Sequence, residues 1–236
     1  MTWTYEPAPD LDQSMVERLR KFPREPDISI YAIRSCAALM IRAWLRLYHR
    51  FEVIGAEHLP ADKSFVIVSN HASHLDTLAM LSALPLAKLH RAFPAAAQDY
   101  FFVSMPRLAI AAVVVNALPF SRRGNIRHSL EMCRHLLENP GNILILFPEG
   151  TRTQTGRMTE FKPGIGLLAA GTQIPIVPCY LAGAFEAWPK GKLVPRPLKL
   201  RLRIGAPRTY SDLTPGRDSS LQVSLDLQKA VAALRD

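Results

Sequence analysis

Several signatures of common enzyme classes are missing from this sequence. It has no Gly-x-Ser-x-Gly segment to build a nucleophile elbow, and no glycine-rich loop ending in Gly-Lys-Ser/Thr. Cysteine is scarce: Cys36, Cys133 and Cys179 stand far apart, without the spacing of a metal cage or a redox pair. Such scattered thiols fit packing roles in a reducing, cytosolic setting. The first residues, Met1-Thr2-Trp3-Thr4-Tyr5-Glu6-Pro7, lack the basic-then-apolar order of a secretion leader, so export is not expected. Acidic residues are the minority, 20 against 29 Lys and Arg, for a net charge of +9. That balance favours anionic partners and leaves nucleic acid, a phospholipid surface and a phosphorylated metabolite as classes. The aromatics Tyr100-Phe101-Phe102 lack the interleaved basic residues of an RNA-binding sheet.

What is present describes one domain. The 236 residues are 48% hydrophobic and 21% charged, enough for a well-buried core, and no internal repeat divides them. Residues 1–27 are rich in Pro and charge and read as an irregular arm, with a short helix at 11–21. Residues 28–50 keep a helical rhythm. At about 100° per residue, Arg34, Arg42, Arg46 and Arg50 fall on one side, and Ile33, Ala37, Met40, Ile41, Trp44 and Tyr48 lie largely on the other. Each central Arg would cost roughly 2.5–3.5 kcal/mol inside a bilayer on insertion scales. A helix lying in the interface, apolar face down and arginines among headgroups, avoids that cost. The competing disposition is a helix packed on the protein's own core; Trp44 and the arginines favour the membrane.

Strands are expected at 51–55, 65–70, 91–97, 142–147, 174–180 and 199–205, with helices between them at 77–84 and 126–138. This alternation indicates an α/β domain with a mostly parallel, mixed sheet flanked by helices. In the last strand the basic and aliphatic residues alternate, as on a half-exposed or edge strand. Residues 219–234 read as a closing amphipathic helix, capped by Asp218 or Ser219. The charge-free run 108–120 is too short for the ~20 residues of a bilayer span and reads as a buried helix leading into a strand.

Three polar clusters interrupt apolar surroundings. The first, Asn70-His71-Ala72-Ser73-His74-Leu75-Asp76, directly follows the run Phe65-Val66-Ile67-Val68-Ser69. His71 therefore sits where a strand ends and a helix begins. An imidazole titrates near neutrality, and Asp76 five residues on can fix its tautomer and stabilise its charged form. A helix-capping box, Ser73 as cap and Asp76 three positions later, fits the same residues. As metal ligands, His71, His74 and Asp76 lack the HExxH spacing and a second ligand cluster. The second cluster is Pro119-Phe120-Ser121-Arg122-Arg123-Gly124, whose paired arginines suit an anion. The third is Phe147-Pro148-Glu149-Gly150-Thr151-Arg152, at the end of a strand, where open α/β sheets bind ligands. Its alternative reading is a tight loop with a surface Glu–Arg pair. Gly164-Ile-Gly166-Leu-Leu-Ala169 imitates a dinucleotide fingerprint but follows a polar stretch rather than a strand.

Taken in order, these clusters resemble the blocks of the glycerolipid acyltransferase family, especially the 1-acylglycerol-3-phosphate acyltransferases. NHASHLD matches the family's NHxxxxD, Leu118–Arg122 resembles its second block, FPEGTR is a full match, and Ile176-Val177-Pro178 resembles its late block. Asn116, where Gly is common, and Thr153, where Ser often follows, depart from the pattern. The resemblance covers roughly residues 50–210, making 51–236 the acyltransferase domain. It implies transfer of a fatty acyl group from acyl-CoA or acyl carrier protein to a lysophospholipid hydroxyl, with no cofactor and no metal. His71 is then the general base and Asp76 its orienting carboxylate. Arg122 and Arg152 would hold the acceptor phosphate, with Phe147, Pro148, Glu149, Gly150 and Thr151 shaping the pocket. The expected setting is the cytoplasmic face of a membrane, peripheral or monotopic, against anionic lipid and without nucleic acid. Other lysolipid acceptors and a catalytically idle lipid-binding protein are the alternatives.

Overall fold

A computed structural model of the chain describes residue 22 and residues 27–97, 104–121 and 126–235. The expected arm at 1–27 lies almost wholly outside the described residues, as do Arg122, Arg123 and Tyr100–Phe102. Helix α1, Ile28–Tyr48, comes first. The strands are β1 (Glu52–Ile54), β2 (Phe65–Ser69), β3 (Ala92–Ala97), β4 (Leu118–Phe120), β5 (Ile143–Leu146), β6 (Ile176–Ala182) and β7 (Arg201–Ile204). Helix α2 (Leu75–Ala83) follows β2, and α3 (Met105–Ala109) runs through a π turn at Ile110–Val114 into β4. Then come α4 (Ile126–Glu138), α5 (Gly164–Ala169), the short α6 (Ala184–Ala187) and the closing α7 (Arg217–Ala232).

The strands form one mixed sheet in the order β1-β7-β6-β2-β5-β3-β4, parallel throughout except where β6 meets β7. The fold is thus the expected α/β domain. Strand β2 is buried along its whole length because both faces of the sheet are covered. Its residues alternate accordingly. Phe65 and Ile67 join Ile143, Ile145, Leu75 and Met80 in the layer under α1 and α2. Val66 and Val68 join Leu144, Leu130, Leu168, Val223 and Leu227 in the layer under α4, α5 and α7. The run 108–120 divides as anticipated, into a helix with Leu108 and Ala112 buried and then a strand.

Three local readings are corrected. Strand β7 alternates as expected but is not the edge: β1 pairs along its outer side, and Glu52 bridges to Lys199 and Arg201. Helix α7 begins two residues early, at Arg217, and its N-cap Gly216 offers no side-chain cap; Asp218 sits in the first turn instead. The arginines of α1 do not share one outward face: Arg34 and Arg42 turn inward, whereas Arg46 is exposed. Arg34 is buried, donating Nε–H to the Val113 carbonyl at 2.8 Å and Nη2–H to the Ala112 carbonyl at 3.1 Å. Arg42 reaches the Leu84 carbonyl at the end of α2. A π turn and a helix terminus leave carbonyls without helical partners, and a guanidinium supplies donors that no aliphatic residue can. Burial lowers the Arg34 pKa to about 10. The outward face of α1 is instead largely apolar, with Ile33, Cys36, Leu39, Met40 and Leu47 exposed at helical spacing and Arg46 beside them. By length and composition, α1 suffices to cross a membrane.

Gly166 of the discarded fingerprint has a packing role. A Cβ there would stand 2.0 Å from the Ser220 carbonyl oxygen, so only glycine lets α5 approach α7 this closely.

Candidate active site

Strands β2 and β5 lie side by side and in parallel, Val68 opposite Leu146, so their carboxyl ends open at one edge. The chain leaves β2 through Asn70, whose buried side chain continues the ladder toward β6. Its Oδ1 accepts the Leu181 N–H at 2.8 Å, and its Nδ2 donates to the Leu181 carbonyl at 3.1 Å. An amide carries the one donor and one acceptor that a peptide unit requires, and this fixes the exit of the strand.

His71 follows, and segment 147–153 frames it. Its backbone N–H donates to Glu149 Oε1 at 2.6 Å, and its carbonyl accepts the Thr153 N–H at 2.9 Å. Its ring stacks on Phe147, centroids 4.2 Å apart and planes at 17°. Its Nδ1 lies 2.8 Å from Asp76 Oδ2. Asp76 is fully buried, whereas the His71 side chain is 21% exposed. Asp76 Oδ2 also accepts the N–H groups of Ala72 at 2.6 Å and Ser73 at 2.8 Å. An oxygen already accepting two amide protons takes the third from Nδ1–H. The imidazole is thereby held as the tautomer whose Nε2 lone pair is free for a proton. Asp76 Oδ1 is buried without a partner among the described residues, so a single oxygen does all the positioning.

Only half of the expected capping box forms: Asp76 makes its return bond, but the N-cap position is His74, which makes no side-chain cap bond. Ser73 Oγ accepts the Leu75 N–H at 3.2 Å while Asp76 reaches back to the Ser73 N–H. Holding the turn before α2 and orienting the imidazole are therefore two results of one carboxylate at the start of that helix, where the helix dipole favours negative charge.

The third cluster divides in its contacts. Glu149 is 3% exposed; its Oε2 accepts both the N–H of Thr159 at 2.7 Å and its hydroxyl at 2.8 Å. Both of its oxygens thus hold protein. Pro148 is buried and gives its carbonyl to the Lys162 N–H at 3.0 Å. Gly150 has φ +71°, and a Cβ there would stand 2.7 Å from Lys162 Nζ. Thr151 is exposed and Arg152 half-buried, so these two face outward. His74 stands within the field of Arg152. Desolvation, then the Arg152 charge and His71, lower its pKa to about 4. Its ring lies 5.7 Å from that of Trp188, whose carbonyl accepts the Ser73 hydroxyl at 2.8 Å. Trp188 and Thr159 carried no sequence signal, since their partners lie far off along the chain.

A covered α/β sheet presenting a stacked, carboxylate-oriented imidazole at adjacent strand ends belongs to group-transfer and hydrolytic architectures. Among these the chain belongs to the acyltransferase family, whose model, described as Acyltransferase, matches residues 50–182. It is 32% identical over 168 residues to 1-acyl-sn-glycerol-3-phosphate acyltransferase alpha of Mus musculus, covering 70% of this chain and 57% of that protein. It is 30% identical over 163 residues to the 1-acyl-sn-glycerol-3-phosphate acyltransferase of Limnanthes alba, covering 69% and 56%. The chain thus spans little more than half the length of these relatives. The crystal structure of the 1-acyl-sn-glycerophosphate (LPA) acyltransferase PlsC from Thermotoga maritima shares the fold, with TM-score 0.64 and 23% identity over 88% of this chain and 79% of that one.

Proposed function

We propose that the protein transfers a fatty acyl group from a thioester, acyl-CoA or acyl carrier protein, to the free hydroxyl of 1-acylglycerol-3-phosphate, giving phosphatidate. The observation that carries this reading is the His71–Asp76 pair, 2.8 Å apart and clamped by the loop that follows β5. His71 Nε2 takes the hydroxyl proton as the oxygen attacks the thioester carbonyl. The tetrahedral adduct collapses, the C–S bond breaks, and the thiolate recovers the proton from the imidazolium. Ester and free thiol result, without an acyl-enzyme. General base catalysis of this kind supplies about 10²–10⁴ in rate.

Asp76 orients the ring and stabilises its cation. Glu149 acts as a positioning residue, because it is buried and both of its oxygens are engaged by protein, one of them by the His71 backbone. Arg152, with Arg122, binds the phosphate; Thr151 and Gly150 shape that pocket, and Phe147 backs the imidazole. The outward apolar face of α1 lies on the cytoplasmic surface of the membrane that holds the lysolipid.

The test supplies purified protein with acyl-CoA or acyl carrier protein and competing phosphorylated and neutral acceptors. Arg152→Ala should raise KM for the phosphorylated acceptor at least tenfold, on the order of one charge-assisted pair. An equal loss on a neutral acceptor would contradict phosphate binding by Arg152.

A further inference from the structure

Residues 189–198 carry the chain from α6 past the end of α1, and they expose what a core would bury. Leu193 is 93% exposed and Val194 74%. Lys190, Lys192 and Arg196 flank them, all exposed and without a carboxylate partner among the described residues. The sequence has no Asp or Glu between Glu186 and Asp212. The segment is nevertheless tied down. Trp188 Nε1–H donates to the Lys192 carbonyl at 2.8 Å, and the Arg196 N–H donates to the Ala187 carbonyl at 2.7 Å. The Tyr48 hydroxyl donates to the Pro195 carbonyl at 2.9 Å, and Arg50 Nη2–H to the Pro197 carbonyl at 3.0 Å. These bonds join the segment to the last turn of α1, where Leu47 is outward. At its other end, Trp188 stands against His74 and Ser73.

We propose that residues 189–198 are a second membrane contact, whose partner is an anionic phospholipid bilayer. Leu193 and Val194 enter the acyl boundary while Lys190, Lys192 and Arg196 meet lipid phosphates. An apolar tip flanked by exposed cations and hydrogen-bonded to the last turn of α1 matches a lipid surface. An acidic protein would meet the cations but leave the tip without a counterpart. The inference rests on the membrane reading of α1 above. It adds a fixed point beside the site: α1 and the loop together set the height of the bilayer relative to His71.

The test labels the full chain at one position. In a Cys36→Ser, Leu193→Cys variant, an environment-sensitive fluorophore at residue 193 reports its surroundings; Cys133 and Cys179 are buried. On phosphatidylglycerol vesicles the emission should shift to the blue and be quenched by lipid-borne quenchers. Replacing Lys190, Lys192 and Arg196 with Gln should weaken partitioning about fivefold per charge, with the effect fading at high salt. Vesicle binding by co-sedimentation with no change at residue 193 would overturn the loop contact and leave α1 as the anchor. Absence of vesicle binding would overturn both. A shift with an acidic carrier protein but not with vesicles would replace the bilayer with a protein partner. Acyl transfer to a detergent-dispersed acceptor, measured in parallel, reports separately on the catalytic reading.

Discussion

At the scale of single residues, the site is one histidine held from every side, and each hold has a separable consequence. Glu149→Gln keeps the shape but weakens the grip on the His71 N–H and on Thr159. The expected result is a fall in kcat of about tenfold or more with little change in the acceptor KM, because only the base is displaced. A rise in acceptor KM alone would mean that Glu149 touches substrate. Asn70→Leu leaves the N–H and carbonyl of Leu181 buried and unpaired, a loss on the order of 2–4 kcal/mol readable as a lower denaturant midpoint. His74 links the site to pH. Its folded pKa, about 4, lies below the ordinary 6.5, so between these values the unfolded chain binds a proton that the folded chain does not. Its contribution to stability is intact above pH 6.5 and is lost as pH falls toward 4. His74→Gln should flatten that part of the stability–pH curve; an unchanged slope would show that His74 contributes nothing to it.

At the scale of elements, the boundaries followed residue chemistry closely wherever a segment answers mainly to itself. Residues 126–138 form a helix with the anticipated ends, and the aliphatic runs became β2 and β5, because burial on both sheet faces selects such runs. Legibility failed where the deciding partner is distant. The helical pattern of α1 divides cations from apolar residues, but it does not say which side meets the protein. That was decided by carbonyls of the π turn some 79 residues on in the chain. Likewise, Glu149 was recognised as part of a motif, while its commitment to the His71 backbone, 78 residues away, was not. Arg34→Met should therefore cost about 3 kcal/mol and raise hydrogen exchange around 112–117, since two buried carbonyls lose a charged donor. Unaltered stability would contradict the pinning of the π turn by α1. By contrast, Leu39→Asp with Met40→Asp, on the outward face, should change the unfolding free energy by no more than about 0.5 kcal/mol while reducing vesicle binding.

At the scale of the whole molecule, a mostly parallel sheet brings two motifs to one edge because β2 and β5 are neighbours despite the chain that separates them. Motif order made the family legible; adjacency, which turns two motifs into one site, required the fold. The end of α1 and residues 189–198 are likewise brought together, through the Tyr48 and Arg50 bonds to the Pro195 and Pro197 carbonyls. The account stands or falls on acyl transfer by that imidazole. The decisive measurement follows thiol release and lipid products by mass spectrometry, with acyl thioester and 1-acylglycerol-3-phosphate, for the unaltered protein and His71→Ala. The account predicts phosphatidate formed in step with thiol, and a loss of about 10²–10⁴ in the variant at unchanged circular dichroism. Undiminished turnover in His71→Ala would contradict it.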